Sequence, residues 1–449
     1  MADYSAQHLI YAPLRRVAAF AVTSVAALLP LISCVPPKPL MVTAPPAVEA
    51  DLPDAHNAPH PSVRFYDTYW HALWDDNLQV AWIMARSNEQ RRLSDAIEAF
   101  FNGNNDEADS IVVKLLSAHD RDVRDAARVT YGAILTAKGD WAHLAAYADS
   151  ARRDRRDAAG VETWAPAFKG IQTRVSFDDS VTSVPLTRSM TGVAIIPVVV
   201  NGVKRRFWLD TGSSITILTS EVASASRVAG IGGDTLELVS SVGRLATRAA
   251  VVGSLQLGGV TITNAPAMIV SNEALEVREA STGMPPQPID GVIGFDLIRS
   301  LDLTIDDARS RVIIRKPAAR SVPRNLAWFG VPIVTMLTEG GTAVHMLLDT
   351  GAEETFGTGN LARKSNARWR EAERRTVQGF GGAKTESGIV IPRVRLFLGD
   401  VPLSFDRIFL YDANYPTIFT LDGTLGSDIG RGGRVRIDMT NGRLDISSN

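Results

Sequence analysis

The sequence predicts a mainly β protein made of two pseudo-symmetric halves, preceded by an α-helical region. Three observations predict it. Asp-Thr-Gly occurs twice, at Asp210-Thr211-Gly212 and Asp349-Thr350-Gly351, and both copies end an apolar run, Phe207-Trp208-Leu209 and Met346-Leu347-Leu348. Further landmarks repeat in the same order. Asp290-Gly291-Val292-Ile293-Gly294 begins 80 residues after Asp210 and Asp422-Gly423-Thr424-Leu425-Gly426 begins 73 after Asp349, each leading into a pair of β-rich runs. The hydrophobic period also changes along the chain, from three- and four-residue steps before Ser150 to steps of two beyond Met190.

The chain's N-terminus comes before both regions. Arg15-Arg16 precede an apolar stretch, Val17 to Ile32, that closes as Leu31-Ile32-Ser33-Cys34. This resembles the bacterial lipoprotein signal, in which a Leu-x-small-Cys box marks the cysteine that becomes the lipidated N-terminus. The resemblance implies a signal over residues 1–33, lipidation of Cys34, and a chain held in the bacterial cell envelope, on the outer membrane and facing the periplasm. An uncleaved N-terminal anchor is the alternative. Cys34 is the only cysteine, so no disulfide is expected to help stability there. Residues 34–61, with Pro36-Pro37, Pro39, Pro45-Pro46, Pro53, Pro59 and Pro61, read as an extended tether off the membrane.

Residues 62–165 read as helical. Ala96, Phe100 and Phe101, then Ile111, Leu115 and Leu116, then Ala127, Tyr131, Ile134 and Leu135 recur at helical steps, and Asn102-Gly103 and Lys138-Gly139 mark helix ends. The pattern weakly resembles tetratricopeptide-type hairpins, and a plain helical bundle fits it equally. Either offers a surface to a protein partner. Trp70, Trp74 and Trp82 read as core rather than as a binding stripe. Arg152-Arg153-Asp154-Arg155-Arg156 reads as a solvated face, and a net charge of −2 over 449 residues gives no electrostatic case for nucleic acid.

Two β units follow, over residues 190–316 and 328–449, joined by a Pro- and Arg-rich linker over residues 317–327. Their runs are short, with hairpin punctuation at Asn201-Gly202, Gly258-Gly259, Gly399-Asp400 and Asn441-Gly442. In each Asp-Thr-Gly a strand delivers the aspartate, the threonine hydroxyl can lock one loop to the other, and the glycine admits a close approach of backbone. Two carboxyls within hydrogen-bonding reach cannot both ionise and so share one proton. One then serves as general base on a water while its protonated partner polarises a carbonyl.

At these residues the chain resembles the retropepsin and pepsin superfamily of aspartic proteases, over roughly Val193 to Ile446. The resemblance implies two retropepsin-like β-barrel lobes and an aspartic endopeptidase with Asp210 and Asp349 as the dyad. Thr211, Gly212, Ser213, Thr350, Gly351 and Ala352 would support it. No cofactor or metal is implied. Val292-Ile293-Gly294 and Thr424-Leu425-Gly426 would form the ψ-shaped loops behind the catalytic turns, with Thr424 needing a partner for its hydroxyl. Ala352-Glu353-Glu354-Thr355 parallels a viral Ala-Asp-Asp-Thr, which makes Glu353 and Glu354 either contacts for substrate main chain or solvated acids. Val377 to Ala383, with Phe380 and Gly381, and the weaker Val239 to Arg244, with Gly243, read as flaps.

Ser213 is expected to donate to Asp210 while Ala352 offers Asp349 nothing, which would place the shared proton on the Asp349 side. The cleft would take an extended peptide or protein substrate. The short linker favours pairing of lobes within one chain, as a monomer, over pairing between two chains. A catalytically silent peptide-binding or scaffold module with the same fold is the alternative.

Overall fold

The computed structural model describes residues 68–448 apart from 155–163, 234, 241–242, 278–286, 368–369, 381, 412–414 and 416. Cys34, the apolar stretch before it, the proline-rich tether and Gly381 lie outside the described residues. Among the described residues no helix is long and apolar enough to cross a membrane.

Among the described residues six helices come first: α1 (Tyr69–Trp74), α2 (Leu78–Met84), α3 (Asn88–Phe101), α4 (Asn105–Leu115), α5 (Arg121–Lys138) and α6 (Trp141–Asp154). Side chains cap them as their sequences suggest. Thr68, Asn77, Ser87 and Asp120 accept hydrogen bonds from backbone amides of the first turns of α1, α2, α3 and α5, and Gly139 ends α5 with a φ of 66°. Leu93, Ile97, Val112, Val123 and Ile134 are wholly buried along one face. Trp70 packs against this core, but the other two tryptophans depart from expectation. Trp74 and Trp82 are 43% and 46% exposed, because α1 and α2 are short outer helices whose inward positions are taken by Ala72, Leu73 and Ala81.

The first lobe is a closed six-stranded barrel. Its order runs Val260–Val270, Ile217–Thr219, Gly291–Ile293, Val203–Leu209, Ala194–Val200 and Arg244–Leu257, and the last strand pairs back with the first. The second lobe repeats the motif as an open half-barrel, in which Gly423–Leu425 lies between Ala343–Leu348 and Phe356–Gly357. Here the long hairpin is broken. Gly382–Ile391 and Val394–Leu398 flank Pro392-Arg393, where the first lobe has the single strand Arg244–Leu257. Proline cannot donate a ladder hydrogen bond, which suits a break.

A five-stranded antiparallel sheet joins the lobes, in the order Val181–Pro185, Arg311–Arg315, Asp302–Asp306, Arg434–Asp438, Arg443–Ser447. The central pairing of Asp302–Asp306 with Arg434–Asp438 crosses from lobe to lobe. Arg436 grips Asp302 with two hydrogen bonds of 2.8 and 2.6 Å across it. Strands begin earlier than the sequence pattern suggests, at Arg174–Phe177. That strand and Val181–Pro185 are largely exposed on one side, so their hydrophobic alternation is weak.

One hydrophobic core runs from the helices into both lobes. At the helix–lobe contact, Phe101 and Phe329 pack on Phe419 with ring centroids 5.3 and 4.9 Å away. A second cluster sets Trp141, Trp164 and Phe168 against Ile215 and Met268 of the first lobe.

Candidate active site

The two Asp-Thr-Gly turns are built alike. Strand Val203–Leu209 runs parallel to Gly291–Ile293, and Ala343–Leu348 runs parallel to Gly423–Leu425. Extending each ladder by one bond, the Asp210 amide donates to the Ile293 carbonyl at 3.1 Å and the Asp349 amide to the Leu425 carbonyl at 2.9 Å. The ψ glycines are sterically required: a Cβ on Gly294 or Gly426 would lie 2.5 Å from the carbonyl carbon of Ile215 or Glu354. Thr424, in the second ψ strand, is fully buried, and its hydroxyl finds its partner in the Tyr415 phenol at 3.1 Å.

The threonines tie the turns together reciprocally. The Thr211 hydroxyl donates to the Leu348 carbonyl at 2.7 Å and accepts the Thr350 amide at 3.0 Å, while the Thr350 hydroxyl donates to the Leu209 carbonyl at 2.8 Å and accepts the Thr211 amide at 3.1 Å. Four buried hydrogen bonds thus fix one aspartate relative to the other. The second residue set that does this kind of work was not read from the sequence. Thr216 and Thr355, each six residues after its aspartate, accept the amides of Gly294 and Gly426 and donate to the carboxylates of Asp296 and Asp428. The signal was present as a matched threonine after each turn and a matched aspartate two residues after each ψ glycine.

Asp210 and Asp349 meet within hydrogen-bonding reach, one from each lobe. No room remains between the turns. A Cβ on Gly212 would sit 2.5 Å from the Asp349 carboxyl carbon, and one on Gly351 would meet Asp210 as closely. One oxygen of Asp210 accepts the amides of Gly212 and Ser213 at 2.8 and 3.1 Å, and one of Asp349 accepts those of Gly351 and Ala352 at 2.9 and 3.0 Å. Burial raises both carboxyls above the ordinary carboxylate range, and the neighbouring charge of Asp349 raises Asp210 further. The pair therefore keeps one proton where isolated aspartates would hold none.

Ser213 departs from expectation. Its hydroxyl donates to the Ile215 carbonyl at 2.8 Å rather than to Asp210. Amide donors to the two carboxyls are thus matched two and two, and the bias toward Asp349 loses its physical basis. Glu353 and Glu354 are exposed. Glu354 pairs with Arg375 on the flap strand Arg370–Gly379 at 3.0 Å, which holds it to its own lobe. The hairpin expected as the second flap, Arg370–Gly379 with Gly382–Ile391, carries Phe380 across to the first lobe, where its ring lies 5.7 Å from that of Trp208. In the segment expected as the first flap, the Ser240 amide donates to the Gly243 carbonyl at 2.7 Å.

A cavity of about 540 Å³ lies on the interlobe sheet, lined by Arg315, Arg320, Arg434 and Arg436. It includes neither aspartate, and three of its arginines are committed to Asp438, Asp306 and Asp302. Among the described residues no group of three or more His, Cys, Asp or Glu could hold a metal ion.

Residues 196–297 match the family model described as aspartyl protease. The match takes in Asp210, its turn and the first ψ segment, and ends before the second Asp-Thr-Gly. A search of curated proteins returns no match.

Proposed function

We propose that this chain is an aspartic endopeptidase in which Asp210 and Asp349 jointly activate a water against a peptide carbonyl. The observation that carries this reading is the reciprocal threonine lattice, which brings one carboxyl from each lobe into a buried, proton-sharing pair. The ionised carboxylate takes a proton from the water as the oxygen attacks. The protonated partner hydrogen-bonds to the carbonyl oxygen, where negative charge develops. Collapse of the tetrahedral species breaks the C–N bond, and a dyad proton passes to the departing amine. The substrate is an extended peptide bound between the flaps. Lipidation at Cys34 would hold the enzyme on the periplasmic side of an envelope membrane, with residues 34–61 as its tether.

The test is incubation with an unstructured protein substrate, with and without pepstatin, beside Asp210→Asn and Asp349→Asn. Pepstatin-sensitive cleavage that is absent in either variant and in their equimolar mixture is expected. Cleavage surviving in one variant contradicts the shared dyad, and activity recovered on mixing would mean that lobes pair between chains.

A further inference from the structure

The turn between α1 and α2 plugs into the second lobe directly behind its catalytic strand. Asp75 and Asp76 occupy this turn, and Asp76 holds a φ of 54°, a left-handed conformation unusual for a residue with a side chain. The Asp76 carboxyl lies 3.2 Å from the His345 ring nitrogen Nδ1. Lys364, only 2% exposed, bridges Asp75 at 3.1 Å and Asp422 at 2.8 Å. Asp422 in turn accepts the His345 amide at 2.7 Å. The Thr420 amide also donates to the Trp74 carbonyl at 2.6 Å. One oxygen each of Asp76 and Asp422 is buried without a hydrogen-bond partner.

These groups sit side by side where the two parallel strands of the second catalytic apparatus run toward Asp349 and Gly426. His345 is four residues before Asp349 on strand Ala343–Leu348, and Asp422 immediately precedes the ψ strand Gly423–Leu425. The first lobe shows what the arrangement is without the plug. There the equivalent carboxylate, Asp290, accepts the Arg206 amide at 2.8 Å in the same way, but at an exposed edge with no buried lysine. The asymmetry therefore joins the helical turn to residues found in the second repeat alone, His345 where the first has Arg206 and Lys364 where it has Ala225.

Resting on the protease reading above, we infer that Asp76, with Asp75, is a positioning residue for catalysis. The helical region sets the second catalytic strand and ψ loop through the buried His345–Asp76 and Lys364–Asp75 contacts, the lysine passing the restraint on to Asp422, and is an integral part of the enzyme. Burial raises Asp76 to about 8 and lowers His345 to about 3, so at neutral pH both are uncharged and Asp76 can donate its proton to His345. Lys364, Asp75 and Asp422 make up the remaining charge around them. With its folded value raised, Asp76 stabilises the plug fully below about pH 4 and loses that contribution as pH rises through 8.

The experiment compares Asp76→Ala with Asp76→Asn, whose amide can replace the protonated carboxyl as a donor. Amide-exchange protection is read in residues 343–348 and 423–425 of the second lobe and in residues 203–209 and 291–293 of the first. Asp76→Ala is expected to lose protection in the second lobe only, with kcat falling by about 10–100-fold and KM little changed. Asp76→Asn is expected to keep both, and to retain protection above pH 8, where the wild type loses it. Unchanged protection in Asp76→Ala, or equal loss in both lobes, overturns the inference. If even the wild type cleaves nothing, the protease reading fails while the exchange comparison still decides the coupling.

Discussion

Replacing Thr211 by Val removes one hydroxyl from the lattice between the turns and keeps nearly the same side-chain shape. The structure assigns two hydrogen bonds to that oxygen, one given to Leu348 at 2.7 Å and one accepted from Thr350 at 3.0 Å. Thr211 is 1% exposed, so water does not replace them. Leaving a buried carbonyl and a buried amide each short of a partner costs about 1–3 kcal/mol per group, or roughly 2–6 kcal/mol together. Against a typical total of about 5–15 kcal/mol this is a large share. Denaturant unfolding should show a lower midpoint at unchanged slope for Thr211→Val, and a midpoint near wild type for Thr211→Ser, which keeps the oxygen. Because the four bonds are coupled, Thr211→Val with Thr350→Val should cost less than the two single changes added together. A midpoint unmoved by Thr211→Val would refute the assignment of stability to this lattice.

Three further outcomes follow from the same geometry. Gly212→Ala should cut turnover by about 100-fold or more while the protein still folds, since the new methyl collides with Asp349 and displaces the dyad; single-turnover cleavage and circular dichroism check it. Asp296, buried with Oδ2 unpartnered, is raised to about 7, so its stabilising contribution is complete below about pH 4 and lost as pH climbs through 7. Asp296→Asn should accordingly be more stable than wild type at about pH 8.5 and close to it at about pH 5, as thermal unfolding would show. Tyr415→Phe should destabilise by about 1–3 kcal/mol through the stranded Thr424 hydroxyl, and adding Thr424→Val should restore most of the loss in a double-mutant cycle.

Much of the site was legible because its grammar is local and repeated. An apolar run ending in Asp-Thr-Gly dictates a strand, a turn and a hydroxyl placed to cross the interface, and the second copy announces the partner. The hairpin glycines read correctly for the same reason: Gly202, Gly258, Gly399 and Gly442 all adopt positive φ, which their turns require. Other features depend on what the chain meets in space. The rotatable Ser213 hydroxyl takes the Ile215 carbonyl as its acceptor, a choice made by the fold of the loop after the turn. Asp75-Asp76 at the end of a short helix looks like a solvated cap until the second lobe closes over it. Trp74 and Trp82 carry helical spacing, yet a two-turn helix has too little inward face to bury them. The arrest of Glu354 by Arg375 likewise joins residues whose pairing is set by how the flap strand folds back.

The most direct measurement is a carboxyl-carbon NMR titration of the protein with its aspartates isotopically labelled, using Asp210→Asn and Asp349→Asn to assign the two signals. The account predicts that the pair releases its protons in two separated steps, with one proton kept well above the ordinary aspartate range and both signals responding to each step. Two independent transitions near the ordinary aspartate value of about 4, each indifferent to the other residue's substitution, would contradict it.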